Sequence, residues 1–139
     1  MFLTYSISLW GLWLVGLTVV LQGIIAAVAH RRQSRYVPGK VDDNLSHDSF
    51  VFRSHRTFQN SLENLTPFLI PALLAMFVGV DPTTLSIIVW IFALSRLLHM
   101  CLYYAIATEK NPSPRSYFYG IGLLATLSLY IVTALGLLG

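Results

Sequence analysis

Between Leu9 and Ala29 the chain carries one strongly polar residue, Gln22, in an otherwise apolar run. About 20 such residues are what an α-helix needs to cross the hydrocarbon core of a bilayer. Residues 84–108 and 116–138 read similarly, and residues 49–80 begin polar and end apolar. Inside lipid the backbone must satisfy its own hydrogen bonds, so spanning segments of this length are helices. Charged residues make up only 11 % of the chain, whereas a soluble domain carries about a quarter. The 139 residues hold about four spans and leave no room for a soluble domain. The predicted fold is an all-α integral membrane protein, a single domain over residues 1–139 built as a four-transmembrane-helix bundle.

The first span has no basic leader and is too long for the core of a cleavable signal, so it reads as a retained helix. His30-Arg31-Arg32-Gln-Ser-Arg35 ends it, and the polar stretch from Pro38 to Phe50 reads as a loop. Pro67 and Pro71 should bend the second span, with neighbouring helices meeting the freed carbonyls. Gly79-Val-Asp81-Pro82 is a turn signal, with Asp81 or Thr83 as the cap of the third helix and Pro82 in its first turn. Glu109 to Pro114 forms the last loop. Cys101 is alone, which excludes an intrachain disulfide, and it reads as a small packing residue.

Charge placement predicts topology. Arg31, Arg32, Arg35, Lys40, Arg53 and Arg56 lie in or beside the first loop, Lys110 and Arg115 in or beside the third, and none in the second. The positive-inside rule puts loops one and three in the cytoplasm and both termini opposite. Asn44-Leu-Ser46 matches a glycosylation sequon, but this orientation places it on the wrong side of the membrane.

Arg56, Asn60 and Glu63 fall at i, i+4 and i+7, on one face of a helix that runs into apolar sequence. Arg53 extends that face. The third span presents Arg96, His99 and Tyr103, and antiparallel helices bring Glu63 level with Arg96 and Arg56 near Tyr103. Polar groups at such depth are costly and face a bundle interior. A Glu63–Arg96 ion pair would be the structural explanation. Several arginines against one glutamate cannot neutralise themselves, however, and surplus guanidinium favours an anionic ligand. Asn60 and Glu63 further require that ligand to carry an amine or amide, as an acidic peptide does. His99 alone reads as a packing residue, His30, His47 and His55 as solvated, and the four histidines lack metal-ligand spacing. Tyr103, Tyr117 and Tyr119 fit equally well as interfacial belt aromatics.

Arg56-x-x-x-Asn60-x-x-Glu63 followed by Pro67-Phe-Leu resembles the signature of the membrane-associated proteins in eicosanoid and glutathione metabolism. His30 to Arg35 is similar to the basic end of that family's first helix. Ser95-Arg96-Leu-Leu-His99-Met-Cys-Leu-Tyr103 is similar to its third-helix motif, and Pro114-Arg115-Ser116-Tyr-Phe-Tyr119 to the start of its fourth. The four blocks keep their order over almost the whole chain. The resemblance implies a homotrimer that binds glutathione between subunits near the cytoplasmic face. It implies a glutathione site drawn from Arg31, Arg35, Arg56, Asn60, Glu63, Arg96, His99, Tyr103 and Tyr119. Arg56, Asn60, Glu63, His99 and Tyr103 would come from one subunit, and Arg31 and Arg115 from the next. Arg115, with Ser116, would act catalytically by stabilising the thiolate. A cation beside sulfur agrees with that role, since it raises the nucleophilic fraction. An apolar electrophile or lipid hydroperoxide would enter from the bilayer.

Phe58, Gln59 and Asn64 depart from the eicosanoid branches and weigh against an eicosanoid substrate. The short, compact chain looks like one of the family's bacterial members, which implies a bacterial inner membrane. The expected activity is glutathione S-transfer, with peroxidase activity toward lipid hydroperoxides. The rival reading is a non-catalytic membrane subunit that keeps the fold as an assembly or ligand-binding surface. A small transporter is weaker, because four spans without an inverted repeat offer it little support.

Overall fold

The computed structural model describes residues 3–139. Four helices follow in order: α1 (Ser6–Arg31), α2 (Phe50–Phe77), α3 (Pro82–Ala105) and α4 (Pro114–Leu137). α1 packs on α2 and α3, α2 on α3 and α4, and α3 on α4, while α1 and α4 do not touch among the described residues. The protein is thus an all-α integral membrane bundle. α1, α3 and α4 are each long and apolar enough to cross a membrane. α2 is absent from that set because its first half carries Arg53, His55, Arg56, Asn60 and Glu63. The third helix stops at Ala105, short of the expected Thr108.

Local chemistry explains the ends. Asp81 caps α3: its carboxylate accepts from the Thr84 backbone N–H at 2.8 Å and the Thr84 hydroxyl at 2.9 Å. Pro82, which has no N–H to waste, opens the first turn. Those bonds, the backbone one foremost, hold the Asp81 carboxyl below its ordinary range. α2 closes through Gly79 at φ +75°, a left-handed position that suits glycine, with Val80 N–H bonded back to the Ala75 carbonyl at 2.9 Å. The Tyr5 hydroxyl donates to the Val80 carbonyl at 2.8 Å and ties the start of α1 to that turn. α4 begins with a reciprocal Ser113–Ser116 capping box and Pro114 in the first turn.

α2 stays one continuous helix through Pro67 and Pro71. The prolines strand the Glu63 and Pro67 carbonyls, since neither ring has an N–H to offer. The hydroxyl that α4 supplies, from Thr133, instead reaches the Pro71 carbonyl at 3.2 Å.

Phe68, Leu85, Val89, Phe92 and Leu129 form the fully buried centre. The Phe68 and Phe92 rings stack with centroids 3.7 Å apart and planes 4° from parallel. Trp10, Trp13, Val20, Ile24, Leu124, Leu127, Ile131 and Leu135 are exposed. An apolar surface on this scale is what lipid solvates and water does not. Cys101 also faces outward, so it does not pack the interior as expected.

Small residues let the helices approach closely. A Cβ on Gly11 would lie 2.6 Å from Cγ1 of the fully buried Val89, whereas one on Gly16 would meet nothing within 4 Å. Gly11→Ala should therefore destabilise the bundle by about 1–3 kcal/mol through overpacking, and Gly16→Ala should not. Thermal unfolding of the two variants in one detergent checks the contrast, and equal midpoints would refute it.

Candidate functional site

The polar face of α2 is graded in burial, and helix geometry explains the gradient. Successive side chains step by about 100° around the axis. Ser54, Thr57 and Ser61 point into the bundle and are buried, Arg53 and Asn60 sit at the edge, and Arg56 and Glu63 lie further round and are exposed. The expected Glu63–Arg96 ion pair is therefore not formed. Arg96, only 5 % exposed, uses Nη2 to donate to the Asn60 carboxamide oxygen at 2.6 Å and to the Ser61 hydroxyl at 3.3 Å. Its Nη1 is buried with no partner among the described residues. Arg56 and Glu63 make no hydrogen bond or ion pair among the described residues, and Arg56 is not joined to Tyr103.

Gln22 of α1, also fully buried, shares a cavity of about 10 Å³ with Thr18, Ser61 and Arg96. Both polar atoms of its amide lack partners. It was visible in the sequence as the one polar residue of the first span, yet only packing places it beside Arg96.

Where α3 ends and α4 begins, a second cluster forms around Tyr103. The Arg115 guanidinium carbon lies 4.1 Å from the centre of the Tyr103 ring, a cation–π contact. Arg115 Nη2 donates to the Thr108 carbonyl at 3.3 Å, and Nη1 is buried without a partner. Arg115 thus meets Tyr103 of its own chain. The reason is the short α3–α4 connection, residues 106–113, which returns the start of α4 beside the end of α3. His99 is 3 % exposed, edge-on to the Tyr103 ring at 5.6 Å, and its Nδ1 is unpartnered. The Ser116 hydroxyl accepts from the Ser113 backbone N–H at 3.1 Å and lies 3.2 Å from the Ser113 hydroxyl. In this arrangement Ser116 caps the helix that carries Arg115.

Sequence reasoning missed His47 and Glu109. His47 reads as solvated from the sequence, but its Nε2 lies 3.0 Å from the Tyr103 hydroxyl and its ring stacks on Tyr103 at 5.7 Å. Its Nδ1 lies 2.8 Å from one Glu109 carboxylate oxygen, and its backbone N–H donates to the other at 2.9 Å. Those two bonds, the backbone one first, hold the Glu109 carboxyl below the usual carboxylate range. Arg53 fixes the loop by donating to the His47 carbonyl at 2.6 Å and the Asp48 carbonyl at 3.0 Å. The two residues lie 62 positions apart in different loops, so no local motif could have paired them.

Arg31, Arg35 and Tyr119 are exposed and separate from both clusters in their hydrogen bonding. A cleft of about 610 Å³ opens between α1, the first loop and α2, lined by Ala26, His30, Arg31, His55, Phe58 and Gln59. Arg31 is the only predicted site residue in it. Asn60 with Arg96, and His99 with Tyr103 and Arg115, are the predicted residues that one protomer brings together. Buried donors with no partner among the described residues, aromatic faces and the exposed Arg56 and Glu63 are groups able to bind an anionic, amine-bearing ligand.

No curated protein and no solved structure matches the chain. The family model of the MAPEG family matches residues 7–135, nearly its whole length. The chain therefore belongs to the MAPEG family, membrane proteins of glutathione and eicosanoid metabolism.

Proposed function

We propose that this member of the MAPEG family is a membrane-bound glutathione S-transferase, with peroxidase activity toward lipid hydroperoxides, that works as a homotrimer. The observation that carries the reading is Arg115, whose guanidinium is seated on the buried Tyr103 ring and whose buried Nη1 has no hydrogen-bond partner among the described residues. A cation so placed stabilises developing negative charge with little reorganisation. Glutathione supplies the nucleophilic sulfur, and Arg115 favours its ionised form. Glu63 meets the γ-glutamyl amine, Asn60 a backbone amide, and Arg56 a carboxylate. Arg96 holds Asn60 in place. Arg31 and Arg35 come from the adjacent copy, which gives the exposed Arg56/Glu63 wall a counterpart that one protomer lacks. Loops one and three face the cytoplasm, in a bacterial inner membrane, and the electrophile or hydroperoxide arrives through lipid.

A non-catalytic ligand-binding subunit is the second reading. The capping role of Ser116 favours it, because that hydroxyl is already engaged. Thiolate absorbance on glutathione binding separates the two, since a mere binding module gives none.

Glutathione at 100 times its dissociation constant should stabilise the purified protein by about 2.7 kcal/mol. Arg56→Ala and Glu63→Gln should each lose most of that thermal shift, because exposed α2 charges that bind ligand are otherwise idle. A full shift in both variants would remove the proposed site.

A further inference from the structure

We propose that Tyr103, His47 and Glu109 form a proton wire that carries the thiol proton from the site to bulk water. The inference rests on the glutathione-transferase reading for the identity of the acid, but the chemistry of the wire follows from the donors and acceptors present. Ionised Glu109 only accepts hydrogen bonds, so His47 Nδ1, 2.8 Å away, carries a proton. In the neutral imidazole Nε2 then holds a lone pair. The Tyr103 hydroxyl, 3.0 Å from Nε2, must be the donor. Its oxygen lone pairs are left to accept a proton from the side of His99 and Arg115.

The transfer balances without any further reactant. The S–H bond breaks and its proton joins the Tyr103 oxygen as the phenolic proton passes to His47 Nε2. The product is a thiolate beside Arg115 and an imidazolium paired with Glu109. The Nδ1 proton then leaves through the Glu109 carboxylate to water, and the imidazole ring returns to its first state after a proton shift. The direction is set by exposure: Tyr103 is 7 % exposed, the His47 side chain 19 % and the Glu109 side chain 65 %. A carboxylate that orients an imidazole toward a hydroxyl is the same logic by which a base is built for a nucleophile.

The groups that face the wire favour that direction. Arg115 on α4 and His99 on α3 flank its inner end, and the Arg115 charge opposes a proton resting there. Glu109 in the last loop attracts it outward. Arg53 on α2 holds the His47 carbonyl rather than its ring, and Phe52 packs edge-on to the imidazole at 4.9 Å.

The test has two readouts. Nitrogen NMR of histidine-labelled protein without thiol, assigned by difference with His47→Gln, should show His47 neutral with the proton on Nδ1. A proton on Nε2 would overturn the wire. In stopped-flow mixing with glutathione, His47→Gln should slow thiolate appearance by about 100-fold without changing glutathione affinity, and added imidazole should restore the rate. Glu109→Gln, which keeps a hydrogen-bond acceptor in place, should slow it in the same sense. Unchanged rates in both variants, or a slowed rate that imidazole does not rescue, would also overturn it. Failure of the wild-type protein to bind glutathione would refute the transferase reading instead, and the tautomer measurement would still decide the wire.

Discussion

Arg115→Ala is expected to lower turnover by about 100- to 1000-fold, the range for removing one donor from a charge-stabilising site, while weakening glutathione binding much less. Arg115 touches the Tyr103 ring and the Thr108 carbonyl, and its buried Nη1 has no partner among the described residues. Its contribution is therefore greatest where charge appears on sulfur and smaller toward the neutral thiol. Steady-state kinetics with a chromogenic electrophile, beside calorimetric affinities, measures both numbers. Equal losses in kcat and in affinity would assign Arg115 to ground-state binding and contradict the catalytic role. Arg115→Lys should recover part of the loss, because it restores charge but neither the planar stacking on Tyr103 nor the forked donors.

Phe92→Ala should cost about 3–5 kcal/mol of stability, the usual range for truncating a buried phenylalanine. Phe92 is 1 % exposed and stacks on Phe68, which is fully buried, so the truncation opens a void between α2 and α3 that rigid helices cannot close. The same substitution at Phe77, 72 % exposed, removes a lipid-facing ring and should cost far less. Unfolding midpoints in a common detergent test the pair. A Phe92→Ala midpoint near that of Phe77→Ala would mean that this stack does not hold α2 to α3.

The helix inventory was legible because three spans announce themselves by length and apolarity and the second by its apolar latter half, and their ends by residues with one strong local use. Asp81 with Pro82 opens α3, and Gly79 closes α2, through bonds that reach no further than five residues. The family was legible because its motifs sit within single helices or at their ends. The partners of those motifs were not. Glu63 and Asn60 share a helical face in the sequence, yet only Asn60 meets Arg96. Arg115 opens a different helix from Tyr103, and the path of an eight-residue connection puts it on that ring. His47 carries no motif, and Glu109 reaches it from across the molecule.

By itself the sequence determined that this chain makes four helices in a membrane and carries a MAPEG polar inventory, because helix formation in lipid follows from apolar length and local caps. Tertiary structure alone decided which polar groups pair and which stay open. Each residue turns a helix face by about 100°, and a hydrogen bond fails within an ångström or so of its ideal length. α2 and α3 pack with Phe68 stacked on Phe92, and in that packing Arg96 meets Asn60 and not Glu63, while His47 and Glu109 from two distant loops come together at Tyr103.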